Sequence, residues 1–243
     1  MKRLLFVAFA LVAYAIFLLT ILYLVAFLGD LPRIPRTIDR PDSGLPLAAS
    51  ILLDLALIAL FGVQHTLMAR KSFKAVWMRV MPKPIERSGY MIFTCLALIA
   101  LFAFWQPLPG HLWEATGTFA YPLFWAIFAL GWLVALVSTF LINHFELFGL
   151  AQVWEEFRTA PSATPRLRQP FLYRIVRHPL YAGFLIAFWA TPTMTYGHLL
   201  FAVAMTGYIL IAIEFEERDL ISHFGAQYEA YRGTVGKLMP RLR

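Results

Sequence analysis

Apolar residues in this chain run in blocks long enough to cross a membrane, and polar residues collect between the blocks. Residues 4–28 are almost wholly apolar after Met1, Lys2 and Arg3. A run of about 20 residues suffices to span hydrocarbon, so this block predicts a membrane helix. It is too long for the core of a typical signal peptide and is read as part of the mature protein. Residues 47–68 predict a second span, which carries Asp54, Gln64 and His65; residues 88–105 predict a third and 121–142 a fourth. Between them lie a Pro-rich polar loop at 29–46, a loop at 70–87 with Pro82 and Pro84, and a loop at 106–120. A long polar segment, 143–177, holds Pro161, Pro165 and Pro170.

The last apolar block, 179–213, is interrupted at 191–197 by Pro192 and Gly197, which predicts a turn. Two arms of about seventeen residues, at about 1.5 Å per residue, reach ~25 Å, a short or tilted pair of spans. Beyond them Leu220, Phe224, Tyr228 and Tyr231 recur at helical spacing and predict one amphipathic tail helix. The expected fold is therefore all-α: a polytopic bundle of four spans, a C-terminal two-helix hairpin and the tail helix. It is read as a single integral membrane domain over 1–243, with a four-span part at 1–142 and a C-terminal part at 143–243.

Composition agrees with the blocks. The 243 residues are 60% hydrophobic and only 14% charged, beyond the range of ordinary soluble domains. The formal charge of +7 would suggest nucleic acid in a soluble protein. Here the basic residues flank apolar spans, so topology and anionic lipid explain them, and no nucleic acid is implied. Lys and Arg number six in 69–87, five in 143–178 and five in 217–243, against none in 106–120 and three in 29–46. That asymmetry predicts cytoplasmic N- and C-termini and a hairpin that enters and leaves on the cytoplasmic side. Cys95 is the only cysteine, which excludes an intrachain disulfide and any Cys-based zinc cluster.

Chemistry concentrates at the two ends of the hairpin. Arg177 and His178 precede Pro179, which suits the first turn of a helix. A helix N-terminus favours an anion, and Arg177 adds a full charge. At the far end Glu216 and Glu217 follow the apolar run, where carboxylates need a partner such as ribose hydroxyls or a cationic centre. Carboxylate, ribose and sulfonium occur together in S-adenosylmethionine. Singly, these residues read equally well as a positive flank and a solvated helix end.

The order of residues narrows the reading. Tyr173-x3-Arg177-His178-Pro179-x-Tyr181-x-Gly183, an apolar hairpin, then Glu216-Glu217-x2-Leu220-x3-Phe224-Gly225-x2-Tyr228-x2-Tyr231 resembles the isoprenylcysteine carboxyl methyltransferase superfamily. The resemblance covers about the last seventy residues. A closer likeness, to the bacterial methanethiol S-methyltransferases, extends over most of the chain. It is carried by Gln64-His65, Met68-Ala69-Arg70, Glu86-Arg87-Ser88, the run from Ser138 through Asn143-His144 to Phe145, and Phe188-Trp189-Ala190-Thr191-Pro192. It implies an integral membrane enzyme of the bacterial inner membrane that methylates methanethiol to dimethyl sulfide with S-adenosylmethionine. It further implies cofactor contacts at Tyr173, Arg177, His178, Tyr181, Gly183, Glu216 and Glu217, and a tail whose aromatic face closes over the cofactor.

A soluble methyltransferase domain is excluded: no Gly-x-Gly-x-x-Gly follows a strand, and strands and helices do not alternate. The six histidines lack metal-binding spacing, so no metal is implied. Methyl transfer to sulfur needs a thiolate, and a thiol with pKa near ~8.5 is mostly protonated at neutral pH. The reaction therefore calls for a base or a charge that lowers the thiol pKa, within an apolar pocket. His65 at the end of the second span, Asn143 and His144 at the end of the fourth, and Glu86 and Arg87 at the start of the third share the cofactor motif's membrane depth. His65 and His144 are candidate bases, Arg87 a candidate thiolate stabiliser, and each serves equally as a tie between helix ends. The expected acceptor pocket lies between the cytoplasmic ends of spans two, three and four and the helix from Pro179. Other acceptors for the same cofactor are a prenylated cysteine carboxylate, a lipid amine or another thiol. A non-catalytic small-molecule carrier is the reading from a different class. No protein partner is implied.

Overall fold

The computed structural model describes residues 1–158 and 167–241. Helices α1 (Lys2–Leu28), α2 (Leu47–Ala69), α4 (Glu86–Phe104) and α5 (Ala120–Ile142) match the four expected spans within a few residues. Between α2 and α4 lie α3 (Lys71–Trp77) and a short 3₁₀ turn, Lys83–Ile85, so the basic loop is itself largely helical. After α5 come α6 (His144–Leu147) and α7 (Leu150–Arg158), and after a 3₁₀ turn at Phe171–Arg174 come α8 (Pro179–Trp189), α9 (Tyr196–Phe224) and α10 (Ala226–Thr234). Among the described residues five helices are long and apolar enough to cross a membrane: α1, α2, α4 with its preceding turn, α5 and α9. Many of their Leu, Val, Ile and Phe side chains face outward, as they do when the solvent is lipid. The protein is an integral membrane helical bundle.

Close packing divides the described residues into two units, 1–109 with 144–158, and 110–143 with 167–241. The fourth span, α5, groups with the C-terminal helices, and residues 144–158 group with the first three spans.

In the first unit α4 packs against both α1 and α2, and α7 packs along α1. Ala10, Ile85 and Val153 form one buried cluster, and Ala13, Met91 and Phe148 a second. The Pro-rich loop folds back on the helix ends. Ile38 is fully buried, its carbonyl accepts from Trp105 Nε1 at 3.1 Å, and Arg40 pairs with Asp30 at 2.8 Å. Asp54, the carboxylate inside α2, accepts the backbone N–H of Gln106 at 2.8 Å, which answers the need of a buried polar group for a partner.

In the second unit α5 and α8 lie backbone to backbone. A Cβ on Gly183 would stand 2.6 Å from Ala135 N and 2.7 Å from Gly131 O, and one on Gly131 would stand 2.6 Å from Ala187 N. The pairing of residue 131 with 187 and of 135 with 183 makes the two helices antiparallel. Small residues four apart on each helix allow this approach, as in other membrane helix pairs.

The expected hairpin forms with unequal arms, which corrects the expectation of two equal ones. α8 has 11 residues, about 16 Å, and α9 has 29, about 43 Å. The missing length of the first arm is supplied by a two-stranded ribbon, the departure from an all-α fold. Strand β1 (His111–Glu114) pairs antiparallel with β2 (Thr193–Thr195), with an irregularity between His111 and Trp113. Trp113 stacks on Phe124 in the first turns of α5, so the ribbon stands where α8 stops. Broken backbone beside apolar helices needs internal partners. His198, fully buried, bonds Phe188 O through Nε2 at 2.9 Å, Trp113 Nε1 donates to Thr191 O at 3.0 Å, and Ala115 N donates to Pro192 O at 2.8 Å. The expected turn at 191–197 thus contains β2 and the first residues of α9.

The tail is not one helix. Gly225, at φ +53°, separates α9 from α10, so Leu220 and Phe224 lie on one helix and Tyr228 and Tyr231 on the next. Gly tolerates that left-handed conformation without a Cβ clash. The break turns Tyr228 and Tyr231 inward, where both are buried.

Candidate functional site

The second unit gathers the charged motif at the start of α8. Pro179 is the first residue of that helix, and His178 precedes it in a non-helical conformation. Arg177, His178 and Glu217 are all buried. Arg177 Nε donates to Glu217 Oε1 at 2.8 Å, and His178 Nε2 lies 3.1 Å from the same oxygen. Glu216, one residue earlier and half exposed, approaches His178 Nδ1 to 3.9 Å. Tyr181, one turn into α8, lies beside His178 with ring centroids 5.8 Å apart. An arginine, a histidine, two carboxylates and the N-terminus of a helix thus meet at one point, from segments about forty residues apart in the chain.

Three tyrosines border this cluster. Tyr173 is buried in the 3₁₀ turn before Arg177, and its carbonyl accepts from Tyr231 OH at 2.5 Å. Burial pushes the phenol of Tyr231 up to about 12. Burial first, then Glu216 and Tyr231, raises Tyr173; burial first, then Glu217, raises Tyr228. All three stay protonated at neutral pH and can donate. Tyr228 OH is buried and has no hydrogen-bond partner among the described residues, the mark of a group with an acceptor still to find. The donors and acceptors fit a ligand that carries both anionic and hydroxyl groups. Gly183, within the same motif, lies against the α5 backbone at Gly131 and Ala135.

The remaining candidates, except Asn143, lie in the first unit and fall into two groups. His144, buried at the head of α6, shares a 2.6 Å hydrogen bond with Tyr14 OH. Phe148, at 4.7 Å between ring centroids, and Phe145 flank its ring. Burial pushes the His144 pKa below the ordinary imidazole value, so the ring is neutral at pH 7. Arg87, at the start of α4, donates from Nε to Leu147 O at 2.8 Å and so ties α4 to α6. Gly149, at φ +85°, makes that approach possible; a Cβ there would stand 2.8 Å from Ser88 Oγ. His65 belongs to the other group. Tyr90 OH lies 2.9 Å from its ring nitrogens, Thr94 Oγ1 lies 3.2 Å from Nδ1, and Phe61 stacks on the ring. Asn143 ends α5, its backbone N–H bonded to Thr139 O at 3.2 Å.

Sequence reading did not single out Tyr14 or Tyr90, the hydroxyls that hold the two histidines. A phenol inside a largely apolar span is the signal that marks such residues. Nor did it single out residues 232–237, whose part is played by backbone carbonyls, which leave no trace in side-chain identity.

No family model matches the chain, and no solved structure matches it. Curated proteins do. "Methanethiol S-methyltransferase 2" of Bradyrhizobium diazoefficiens is 47% identical over 240 residues, 99% of this chain and 92% of that protein. "Methanethiol S-methyltransferase" of Mycobacterium tuberculosis is 45% identical over 240 residues, 99% of this chain and 98% of its own length. A more distant relative, "Nurim" of Sus scrofa, is 33% identical over 175 residues, 69% of this chain and 66% of that protein.

Proposed function

Because this chain belongs to the methanethiol S-methyltransferase family and is therefore a methyltransferase, we propose that it methylates methanethiol to dimethyl sulfide with S-adenosylmethionine, at the cytoplasmic face of a bacterial inner membrane. The observation that carries the reaction is identity approaching one half to relatives so named, along nearly the whole chain. The cofactor's place is argued from the buried meeting of Arg177, His178 and Glu217 at the start of α8. The orientation rests on the excess of Lys and Arg in 69–87, 143–178 and 217–243.

Bound there, S-adenosylmethionine would supply an electrophilic methyl group to the sulfur of methanethiol, with S-adenosylhomocysteine and a proton as the other products. The protein's share is to orient, to exclude water and to take the proton. The N-terminus of α8 and His178 suit the cofactor's carboxylate. Glu216 and Glu217 suit the ribose hydroxyls or the positive sulfur, and Tyr228 OH, which lacks a partner among the described residues, suits any acceptor placed beside it. Tyr173 and Tyr181 border the same place. His144, neutral at pH 7 and bonded to Tyr14 OH, and His65, bonded to Tyr90 and Thr94, are the candidate proton acceptors. Arg87 and Asn143 are the supporting polar groups.

The test is acceptor choice. Membranes containing the protein, given S-adenosylmethionine, are offered methanethiol, longer thiols, a prenylated cysteine and a lipid amine in turn. Dimethyl sulfide should form fastest. Methylation of the prenylated cysteine or the amine with no dimethyl sulfide would replace the acceptor and keep the cofactor. A protein that binds no S-adenosylmethionine would return the carrier reading.

A further inference from the structure

Arg177 stands in the motif as a cation available to an anionic ligand, yet its guanidinium is already engaged. Its side chain is only 7% exposed. Nε donates to Glu217 Oε1 at 2.8 Å, and Nη1 donates to Arg232 O at 3.1 Å and Val235 O at 2.5 Å. The two carbonyls lie at the end of α10 and just beyond it. The backbone continues the same clasp. Arg177 N donates to Gly236 O at 2.8 Å, His178 N to Lys237 O at 3.1 Å, and Val176 and Gly236 form a parallel bridge. Tyr231 OH closes on Tyr173 O, and Lys237 forms an ion pair with Glu214 on α9.

Residues 231–237 are thus a strap, fastened to the residues before α8 and to α9. We propose that Arg177 is a positioning residue: it clasps this strap to Glu217 and to the start of α8, and so shapes the cofactor site without contacting the cofactor's carboxylate. The inference rests on the reading of this cluster as the cofactor site.

The chemistry explains why arginine is needed. Three directed donors from one planar group reach a carboxylate and two carbonyls at once; a lysine ammonium is a point charge on a flexible stem and cannot reproduce that fork. The guanidinium also compensates Glu217, which would otherwise be a buried carboxylate balanced by His178 alone, a costly arrangement. With Glu217 fixed from one side by Arg177, His178 is held on the same oxygen from the other. The strap in turn sets α10, and with it Tyr228, whose buried hydroxyl borders the same charges.

A pair of ligands separates positioning from contact. S-adenosylhomocysteine carries the amino-acid carboxylate, and 5′-methylthioadenosine lacks it while keeping ribose and adenine. Affinities of both are measured by calorimetry on the full-length protein in lipid nanodiscs, for wild type, Arg177→Lys and Gly236→Ala. The second substitution disturbs the strap and leaves the guanidinium in place, since a Cβ on Gly236 would run into the Met239 carbonyl. The expected result is that both substitutions weaken both ligands by a common factor of roughly ten or more, as loose positioning does. Loss confined to S-adenosylhomocysteine in Arg177→Lys would mean direct contact with the carboxylate and would overturn the proposal. If Arg177→Lys does not fold, Gly236→Ala decides alone: unchanged affinity for both ligands refutes the strap. A wild-type protein that binds neither ligand would instead refute the cofactor site itself.

Discussion

At the scale of single residues, the claim with the clearest kinetic signature is His144 as proton acceptor. A neutral, buried imidazole with a lowered pKa can take a proton at pH 7. His144→Ala should lose turnover by about 100-fold at neutral pH, within the usual range for a general base, while binding of S-adenosylhomocysteine is kept. Raising the pH toward the thiol pKa should recover part of the rate, because solvent then supplies thiolate. In the wild type, the acid limb should lie below about pH 6.5, since the imidazole stays neutral until the pH falls through its lowered pKa. Near-normal turnover at neutral pH in both His144→Ala and His65→Ala would exclude a histidine base. The sequence already marked these side chains, because charged and imidazole groups beside hydrocarbon stand out. It did not reveal how they are used. In the sequence Arg177 reads as a ligand-facing cation and Gly183 as part of the motif; the backbone carbonyls that Arg177 Nη1 reaches and the α5 backbone against Gly183 leave no mark there.

Among the elements, the contact of α5 with α8 fixes where the charged motif begins. Gly183 and Gly131 leave no room for side chains, and what they would meet is backbone, which cannot swing aside. Gly183→Leu should therefore cost at least the ~1–3 kcal/mol typical of overpacking, read as a lower midpoint of thermal unfolding in detergent. Gly207→Ala on α9 is the control. Open space surrounds it, and the midpoint should hold or rise. Equal tolerance at both positions would contradict the close packing. The four early spans were legible because twenty apolar residues in a row admit few other structures. The ribbon was not. Strands of four and three residues are too short to show an alternating pattern, and their pairing depends on Trp113 and His198 serving the broken end of α8. The tail looked continuous because helical spacing runs on across Gly225, where only the backbone dihedral shows the break.

For the molecule as a whole, hydrophobic blocks and loop charge declared a membrane protein, while the activity came from motif order and from relatives that share nearly the whole chain. The central claim is that a methyl group passes from S-adenosylmethionine to methanethiol at a site that depends on Glu217. The most direct measurement follows the methyl group itself. Purified protein in nanodiscs is given methanethiol and S-adenosylmethionine with a trideuterated methyl, and the headspace is analysed by mass. The wild type should release dimethyl sulfide carrying one deuterated methyl, and Glu217→Gln, folded and inserted, should release little or none. Label absent from dimethyl sulfide in the wild type, or undiminished in Glu217→Gln, would contradict the account.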